Sequence, residues 1–333
     1  MKKQILNIMG RTRTFQIVVL SALAIGAASC EKEVSRPGGE LDVPADNIIE
    51  VLASYGEPDY FAEVDVKKGE TPPPTFGTLN SALARAGLAG AVSSGRYTIF
   101  APTDAAFAKL GLTPKNIATV PNLRDILLYH VFDGMIYSTD LTNGFFETLG
   151  GSYAQINVTG GVMINSSNVV SADIKARNGV IHIIDNVLMP ADKNLVDLAL
   201  SLAPEFSILV QAVIKADLTS VLANEGPFTV FAPTNAAFAA LLGELGATSL
   251  DDIPVELLTK VLLYHVVPGR VFSTDLTNGQ VSTLNGNFEV SVENLTITDA
   301  NGRVAGLVAG LLNVQATNGV VHVIDRVILP ELD

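Results

Sequence analysis

The chain has 333 residues, a length that is too great for one small domain and suits two. Its 48% hydrophobic and 17% charged residues exclude general disorder, because enough apolar side chains are present to build ordinary cores. The net charge of −13, from 34 acidic and 21 basic residues, argues against nucleic acid as a partner, since that binding depends on lysine and arginine.

The first predicted element is a secretory signal peptide. Residues 1–14 carry four basic side chains and no acidic one, and an apolar run over residues 17–28 follows. This run is shorter than the roughly 20 apolar residues that cross a bilayer as a helix, so we expect no permanent transmembrane span here.

The single cysteine of the chain, Cys30, stands at the end of the apolar run. Its surroundings, Ala27, Ala28 and Ser29 before it and Glu31 after it, resemble a bacterial lipobox, with alanine at the position where leucine is usual. The resemblance implies that residues 1–29 are removed and that Cys30 becomes the acylated first residue of the mature chain. The alternative is an ordinary signal peptide with a leftover thiol.

Lipid attachment would fix the localisation. The protein is then expected to be secreted across the inner membrane and anchored in the cell envelope. The lipobox resemblance favours the outer membrane, and the acidic residues after the cysteine can accompany surface display. Loss of the four basic residues with the signal changes the net charge to −17, and an acidic body repels anionic headgroups. Membrane contact is therefore expected through the lipid alone, with residues 30–45 as a polar tether.

An internal repeat organises the rest of the chain. Four blocks recur in the same order: YTIFAPTDAAF at 97–107 and FTVFAPTNAAF at 228–238, LLYHVF at 127–132 and LLYHVV at 262–267, STDLTNG at 138–144 and 273–279, ARNGVIHIIDNVLMP at 176–190 and ATNGVVHVIDRVILP at 316–330. These blocks predict two tandem domains, copy one over residues 46–190 and copy two over residues 191–333.

Each copy reads as helices followed by strands. Apolar spacing predicts helices over 46–55, 194–203 and 255–267, the last after a capping box that begins at Ser249, and Thr103 and Thr234 are predicted N-caps. Segments in which apolar and polar residues alternate then predict a meander of hairpins. The turns are indicated by six glycine-containing pairs, at 150–151, 160–161, 178–179, 285–286, 301–302 and 318–319. The fold class is α+β, with short helices on a mostly antiparallel sheet, and the insertion 57–75 is an expected surface loop.

The four histidines all fall inside repeated blocks. His130 and His265 continue apolar stripes of their helices, which is typical of core residues. His182 and Asp185 stand three residues apart in a strand and therefore point to opposite faces, which excludes a dyad within the strand. Nucleophile elbows and phosphate-binding glycine loops are absent from the sequence. We therefore predict no catalytic, cofactor-binding or metal-binding residues and no enzymatic activity.

The repeated blocks resemble the signatures of fasciclin domains: TIFAPTDAAF and TVFAPTNAAF the first, the Tyr-His pairs the central motif, and NGVIHIIDNVLMP and NGVVHVIDRVILP the second. The resemblance covers residues 46–330. It implies a twisted β-wedge with a bundle of short helices, and a class of secreted or surface-tethered proteins linked to adhesion. It also implies candidate interaction residues near the central motif, namely Tyr129, His130, Tyr264 and His265, which the apolar stripes assign mainly to the core.

The functional hypothesis is a non-enzymatic envelope lipoprotein whose two fasciclin domains bind an envelope or matrix protein or a glycan. One alternative is a receptor that captures a small molecule or an oligosaccharide between the domains, for which a pocket at the domain junction would be the sign. Another is a metal-assisted hydrolase that uses His130 and His182. Hydrogen bonds to the backbone from both rings would argue against it.

Overall fold

The computed structural model describes residues 44–55 and 73–331. The predicted signal peptide, Cys30, most of the tether and most of the insertion 57–75 lie outside the described residues. Within the described part of the chain, no helix is both long enough and apolar enough to cross a membrane.

Copy one contains five α-helices and seven strands among its described residues. The helices are α1 (Ile48–Ser54), α2 (Gly77–Arg85), α3 (Ala89–Ser94), α4 (Asp104–Ala108) and α5 (Leu123–Leu128), with a 3₁₀ turn at Ile117–Thr119. The strands are β1 (Tyr97–Pro102), β2 (Val131–Asp133), β3 (Gly144–Glu147), β4 (Tyr153–Asn157), β5 (Met163–Ile164), β6 (Ser167–Ala176) and β7 (Gly179–Ile184).

Copy two repeats this order, but its last two helices are longer than those of copy one and its strands are more interrupted. Its helices are α6 (Leu195–Ser201), α7 (Ser207–Lys215), α8 (Thr219–Asn224), α9 (Asn235–Leu245) and α10 (Val255–Tyr264), with 3₁₀ turns at Leu250–Asp252 and Ala309–Leu311. Its strands are β8 (Phe228–Pro233), β9 (Val266–Pro268), β10 (Gly279–Thr283), β11 (Gly286–Ser291), β12 (Thr296–Thr298), β13 (Val304–Gly306), β14 (Val314–Ala316) and β15 (Gly319–Ile324).

The predicted α+β class is confirmed, and the strands form mostly antiparallel sheets. Copy one has one seven-stranded sheet in the order β2-β1-β7-β6-β5-β4-β3. Copy two has two four-stranded sheets, β14-β15-β8-β9 and β10-β11-β12-β13, because the 3₁₀ turn Ala309–Leu311 separates strands β13 and β14. The long strand β6 spans the corresponding region of copy one and absorbs the same change of direction through register shifts.

Among the described residues, each copy has one parallel pair of strands, and this pair joins the two signature motifs. Strand β1 runs parallel to β7 from the Tyr97–Gly179 pair onward, and β8 runs parallel to β15 from the Phe228–Gly319 pair onward. The paired strands are buried on both faces along most of their length. They therefore lie between the helical layer on one side and the wedge of hairpins on the other.

Glycine is required where each parallel pair begins. A Cβ atom at Gly179 would overlap the carbonyl oxygen of Tyr97, and one at Gly319 would overlap that of Phe228. The Asn-Gly pairs predicted as turn signals therefore serve a second purpose, because the glycine lets the two backbones approach closely.

Each copy has two hydrophobic clusters, one on each face of its parallel pair. In copy one, Phe76, Leu52 and Phe107 belong to the cluster under the helices, and Phe100 and Phe132 belong to the cluster inside the wedge. Copy two shows the same division. Both domains therefore bury a helical core and a wedge core against the same two strands.

Helix starts follow the predicted capping chemistry, and one predicted helix end is wrong. The hydroxyls of Thr103 and Thr234 accept from backbone N–H groups in the first turns of α4 and α9. The capping box at Ser249 opens a 3₁₀ turn, and α10 begins only after Pro254. Helix α10 ends at Tyr264 and not at residue 267, because the next residues pair with β8 as strand β9.

The asparagine of the second signature joins the layers. In copy one, Asn178 Oδ1 accepts from the N–H of Ile48, and its Nδ2 donates to the carbonyls of Val92 and Gly95 at 2.7 Å each. Asn318 makes the same three bonds in copy two. One side chain therefore holds the first and third helices of each copy to the turn that opens the central strand.

We expect Asn178→Ala to lower the free energy of unfolding of copy one by about 2 to 4 kcal/mol, because it leaves one buried N–H and two carbonyls without partners. Denaturant unfolding measures the change, and Asn294→Ala on an exposed turn is the control, with a change within about 0.5 kcal/mol. Equal stability of the two variants would show that water replaces these bonds.

Candidate functional site

The Tyr-His motifs lie where helices α5 and α10 pass into strands β2 and β9. The side chains of Tyr129, His130, Tyr264 and His265 are all buried in the domain interior. Their role as partner contacts stays a prediction, and in this conformation they offer no surface to a partner.

The tyrosine hydroxyls fasten the helix ends to the wedge. Tyr129 Oη donates to the carbonyl of Tyr153 at 2.8 Å and accepts from Asn165 Nδ2 at 3.0 Å. Tyr264 Oη donates to the carbonyl of Asn287 at 2.6 Å. Burial raises the pKa of both tyrosines, so both are neutral donors at physiological pH.

Both ring nitrogens of His130 are used by the backbone. Nδ1 lies 2.7 Å from the carbonyl oxygen of Ile126, and Nε2 lies 2.9 Å from the backbone nitrogen of Leu188. A carbonyl can only accept and an N–H can only donate, so the ring is the neutral tautomer with its proton on Nδ1. The imidazole therefore bridges helix α5 and the segment that follows β7.

His265 makes the equivalent bonds in copy two, to the carbonyl of Val261 at 2.7 Å and from the N–H of Ile328 at 3.1 Å. Burial lowers the pKa of His130 and of His265 to about 4, because the charged ring would lose its hydration. Neither ring carries a charge at neutral pH.

His182, on the central strand β7, has the opposite tautomer. Its Nε2–H donates to the carbonyl of Ile136 at 2.9 Å, and its Nδ1 accepts from the N–H of Asp173 at 3.3 Å. The carboxylate of Asp173 in turn accepts from the N–H of Ser138 at 2.7 Å. Burial opposes ionisation of this carboxyl, but the bonds from Ser138 outweigh it and lower the pKa of Asp173.

The same network recurs in copy two with an amide in place of the acid. His322 Nε2–H donates to the carbonyl of Val271, and Nδ1 accepts from the N–H of Asn313. Asp173 and Asn313 both adopt left-handed backbone, with φ of 62° and 59°. Both residue types tolerate that conformation, and both can cap the serine that opens the Ser-Thr-Asp block.

These bonds leave no ligand or base for a hydrolytic site among the histidines. The lone pairs of His130 and His182 accept from backbone N–H groups, so neither ring has a nitrogen free to bind metal. Asp185 bonds with Ser167 and Asn168 on the other side of the strand. Over residues 44–55 and 73–331, no three acidic, histidine or cysteine side chains are placed to hold a metal ion.

An aromatic cluster joins the two copies. The ring of Phe145, on strand β3, stacks on Phe272 of copy two with centroids 4.0 Å apart and an interplanar angle of 1°. Tyr153, on strand β4, contacts the same ring at 5.3 Å. Phe272 is only 2% exposed, so the contact is dry. We name Phe145, Tyr153, Phe272 and Arg270 the junction cluster.

Arg270 completes the junction cluster from copy two. Its guanidinium carbon lies 5.5 Å from the centre of the Tyr153 ring, within the range of a cation–π contact. The same guanidinium donates to the carbonyls of Ala316 and Gly319 at 3.0 and 2.6 Å and to that of Thr317 at 3.1 Å. Three carbonyl acceptors fix the cation, so the junction is attached to the second signature of copy two.

A polar cleft opens beside the junction cluster. Its volume is about 800 Å³, and side chains of both copies line it. The lining residues that carry a charge or an aromatic ring are Glu147, Tyr153, Glu225, Phe228 and Arg270. Tyr153 and Arg270 already contact each other, and the exposed polar side chains of the cleft include Glu147, Glu225, Asn224 and Thr317.

The junction cluster was not predicted from the sequence, although a signal was present. Phe145 comes directly after a repeated block, where copy two has Gln280. Phe272 comes directly before the second copy of that block, where copy one has Tyr137. Phe145 is therefore an aromatic residue that only copy one carries at its position, which is a sign of a contact that only one copy makes, whereas both copies have an aromatic ring at the position of Phe272.

The sequence profile of the fasciclin domain matches residues 74–190 and 204–330. The chain belongs to the fasciclin-domain family. This confirms the resemblance drawn from the repeated blocks. Both matches begin after the first helix of their copy, α1 or α6, which Asn178 or Asn318 ties to the domain. The domain boundaries at residues 46 and 191 stay predictions.

Several known proteins are similar to the chain over one or both copies. Protein sll1483 from Synechocystis is 46% identical over 129 residues, 38% of this chain and 68% of the relative. Human periostin is 30% identical over 260 residues, 76% of this chain and 30% of periostin, so this chain spans under a third of that relative's length. The solved FAS1 domain pair of the insect cell adhesion molecule Fasciclin I is 18% identical, with a TM-score of 0.36, over 77% of this chain and 97% of that one.

We expect His130 and His265 to stay neutral down to acidic pH. Their folded pKa of about 4 lies below the unfolded value near 6.5, so the unfolded chain binds more protons and stability falls as pH drops from about 6.5 toward 4. An NMR titration of the imidazole carbons checks this. Midpoints near 6.5 for these two rings would contradict the burial argument.

We expect Phe145→Ala to uncouple the two domains, because it removes the stacked ring and about 0.5 to 1.5 kcal/mol of aromatic contact beyond the buried area. NMR relaxation would show one tumbling time for both domains in the native chain and two in the variant. Leu149→Ala, which shortens an exposed side chain near the junction, is the control and should leave one tumbling time. A single tumbling time in both variants would show that other contacts hold the pair.

Proposed function

We propose that this protein is a non-enzymatic cell-envelope lipoprotein whose two fasciclin domains mediate adhesion by binding an envelope or matrix protein or a glycan. The observation that carries the proposal is the match of the fasciclin profile to both copies, because fasciclin-domain proteins are linked to adhesion. The junction cluster supports it further, since it places the two similar modules in direct contact through the rings of Phe145 and Phe272. Two linked modules strengthen weak contacts to a repetitive partner through effective concentration.

The chemistry of the histidines supports a binding role over a catalytic one. All four rings are buried, and each has both nitrogens hydrogen-bonded to the backbone. A general base needs a lone pair within reach of a substrate and a pKa near the working pH. None of these rings has a free lone pair, and burial lowers the pKa of each from the usual histidine value.

The anchor part of the proposal rests on the sequence around Cys30. Cleavage before Cys30 would leave residues 30–45 as a polar tether between the lipid and copy one, with an acidic body that makes no electrostatic contact with anionic lipid. The outer membrane and surface display are proposed on the same grounds.

The cleft beside the junction cluster favours a second candidate function. An opening of about 800 Å³ between two domains is large enough for an oligosaccharide or a small molecule. Glu147, Glu225 and the turn backbone could supply hydrogen bonds. A ligand in this cleft would perturb the NMR signals of both domains together, whereas a partner that binds one domain would not.

The test of the proposed function compares cells that express the full chain with cells that express Cys30→Ala and cells that lack the gene. We expect a clickable palmitate analogue to label the native chain and not the variant, because the thiol is the attachment point. Adhesion of cells to a matrix-coated surface should fall in both the variant and the deletion. Cys30 is the chain's single cysteine, so Ser29→Ala serves as the matched control with label and adhesion retained.

The two readouts separate the parts of the proposal. Label that persists in Cys30→Ala would contradict the anchor. Adhesion that is unchanged in the deletion strain would contradict the adhesive role, whatever the label shows.

A further inference from the structure

The helical face of copy two contains an apolar hollow. It encloses about 60 Å³ between helices α6, α7 and α8 and extends down to strands β8 and β15. Its lining is aliphatic and aromatic apart from His265, whose two nitrogens are already bonded to the backbone. The hollow therefore offers a bound group no hydrogen bonds, and it accepts only an apolar one.

Comparison of the two copies shows how the hollow arises. Helices α1 and α6 are equivalent, because Asn47 and Asn194 cap them in the same way, so Ala199 of copy two corresponds to Leu52 of copy one. Leu52 is fully buried, whereas Ala199 lines the hollow. A buried leucine side chain is therefore missing from this position of copy two.

Three further positions are each one methylene smaller in copy two. Helix α2 is equivalent to α7, and the central strands of the two copies are equivalent to each other. The pairs, with the copy-one residue first, are Leu83 and Val213, Ile99 and Val230, and Ile181 and Val321. All three copy-one members are buried in its core, and all three copy-two members line the hollow. Two lining positions differ in the opposite sense, Leu198 for Val51 and Leu222 for Val92, and these two added methylenes make up only part of the atoms that the four smaller residues lack.

At the mouth of the hollow, two residues of copy two are larger and more apolar than their equivalents in copy one. Val210 stands where copy one has Asn80, and Ile214 stands where it has Ala84. Ile214 is 61% exposed, although isoleucine is a residue that folding normally buries. An apolar rim around an unfilled apolar hollow is the pattern of a docking site with a central anchor position.

The charges around the rim define the partner. The exposed acidic residues on the elements and turns of this face are Asp197, Glu205, Asp217 and Glu225. Of the basic residues there, Lys215 donates to the carbonyl of Leu250 and lies 3.4 Å from Asp251, and Lys193 pairs with Asp192. The face is therefore negative, which favours a positively charged partner and disfavours a second copy of this acidic chain.

We infer that this face of copy two is the docking site for a basic amphipathic helix of a partner protein, which inserts one large aliphatic side chain into the hollow. A helix satisfies its own backbone hydrogen bonds, so it can lie on an apolar rim without polar partners. The inference rests on the proposed function, since it assigns a surface and a partner class to the binding role.

The test uses a synthetic peptide of about 18 residues, made of leucine and lysine with leucines at i, i+3, i+4 and i+7. A permuted peptide of the same composition and a peptide with glutamate in place of lysine are its controls. We expect the patterned basic peptide to bind the mature chain at least about tenfold more tightly than either control, with an affinity that falls as salt rises.

Two variants of the chain locate the site. Ala199→Leu introduces the residue that copy one packs at the same position, and Ile214→Lys changes an exposed rim residue that folding does not need. Each should weaken peptide binding by about tenfold or more. Leu200→Ala is the matched control, because Leu200 lies on the same helix, is 51% exposed and does not line the hollow. It should bind within about twofold of the native chain.

Three results would overturn the inference. Native affinity in Ala199→Leu and Ile214→Lys would show that the hollow is not the site. Equal binding of the permuted peptide would show that charge alone attracts it. Binding of a neutral alkyl probe such as decanol, lost in Ala199→Leu, without binding of the peptide would show a small-molecule site instead. None of these results decides the adhesion test above, which compares the native chain with Cys30→Ala and with the deletion and changes no residue of this surface.

Discussion

The parallel pairing of β1 with β7, and of β8 with β15, is the contact on which each domain depends. It joins segments that stand 82 residues apart in copy one and 91 in copy two, and every other layer is built on its two faces. The pairing requires a glycine at the start of the second strand, and the asparagine before that glycine secures the first and third helices. The two sequence signatures are therefore two halves of one structural element. Their repetition in the chain reflects the need for both halves in each domain.

The fold was largely predictable from the sequence because its determinants are local or repeated. Hydroxyl caps such as Thr103, the glycine turns and the period-2 segments are read within a few residues, and the repeat supplied each of them twice. The end of α10 was predicted too late, because the apolar residues after Tyr264 fit a helix as well as the buried strand they form. Contacts between distant parts of the chain, such as Phe145 with Phe272, left only a weak local signal and were missed.

Duplication gives this protein an internal reference. Where both copies keep a side chain, as with His130 and His265, the reason is a bond that the fold requires in both. Where they differ, the difference points to something specific to one copy. Asp173 and Asn313 differ in charge and still make the same cap, so that change is structurally neutral. Ala199 stands in place of the buried Leu52 and lines a hollow, so that change alters the packing of copy two.

The buried histidines have a consequence for the field around the protein. Histidine is the side chain that ordinarily changes charge between about pH 5 and 8, and burial lowers the pKa of all four in this chain, to about 4 for His130 and His265. Side-chain carboxyl groups titrate mainly below this range, and lysine and arginine above it. The domains therefore gain little positive charge from histidine at neutral pH and keep their negative potential there. His130 and His265 add no positive charge to either domain even in mildly acidic surroundings, so a basic partner meets no new repulsion from these two buried rings when the pH falls below neutrality.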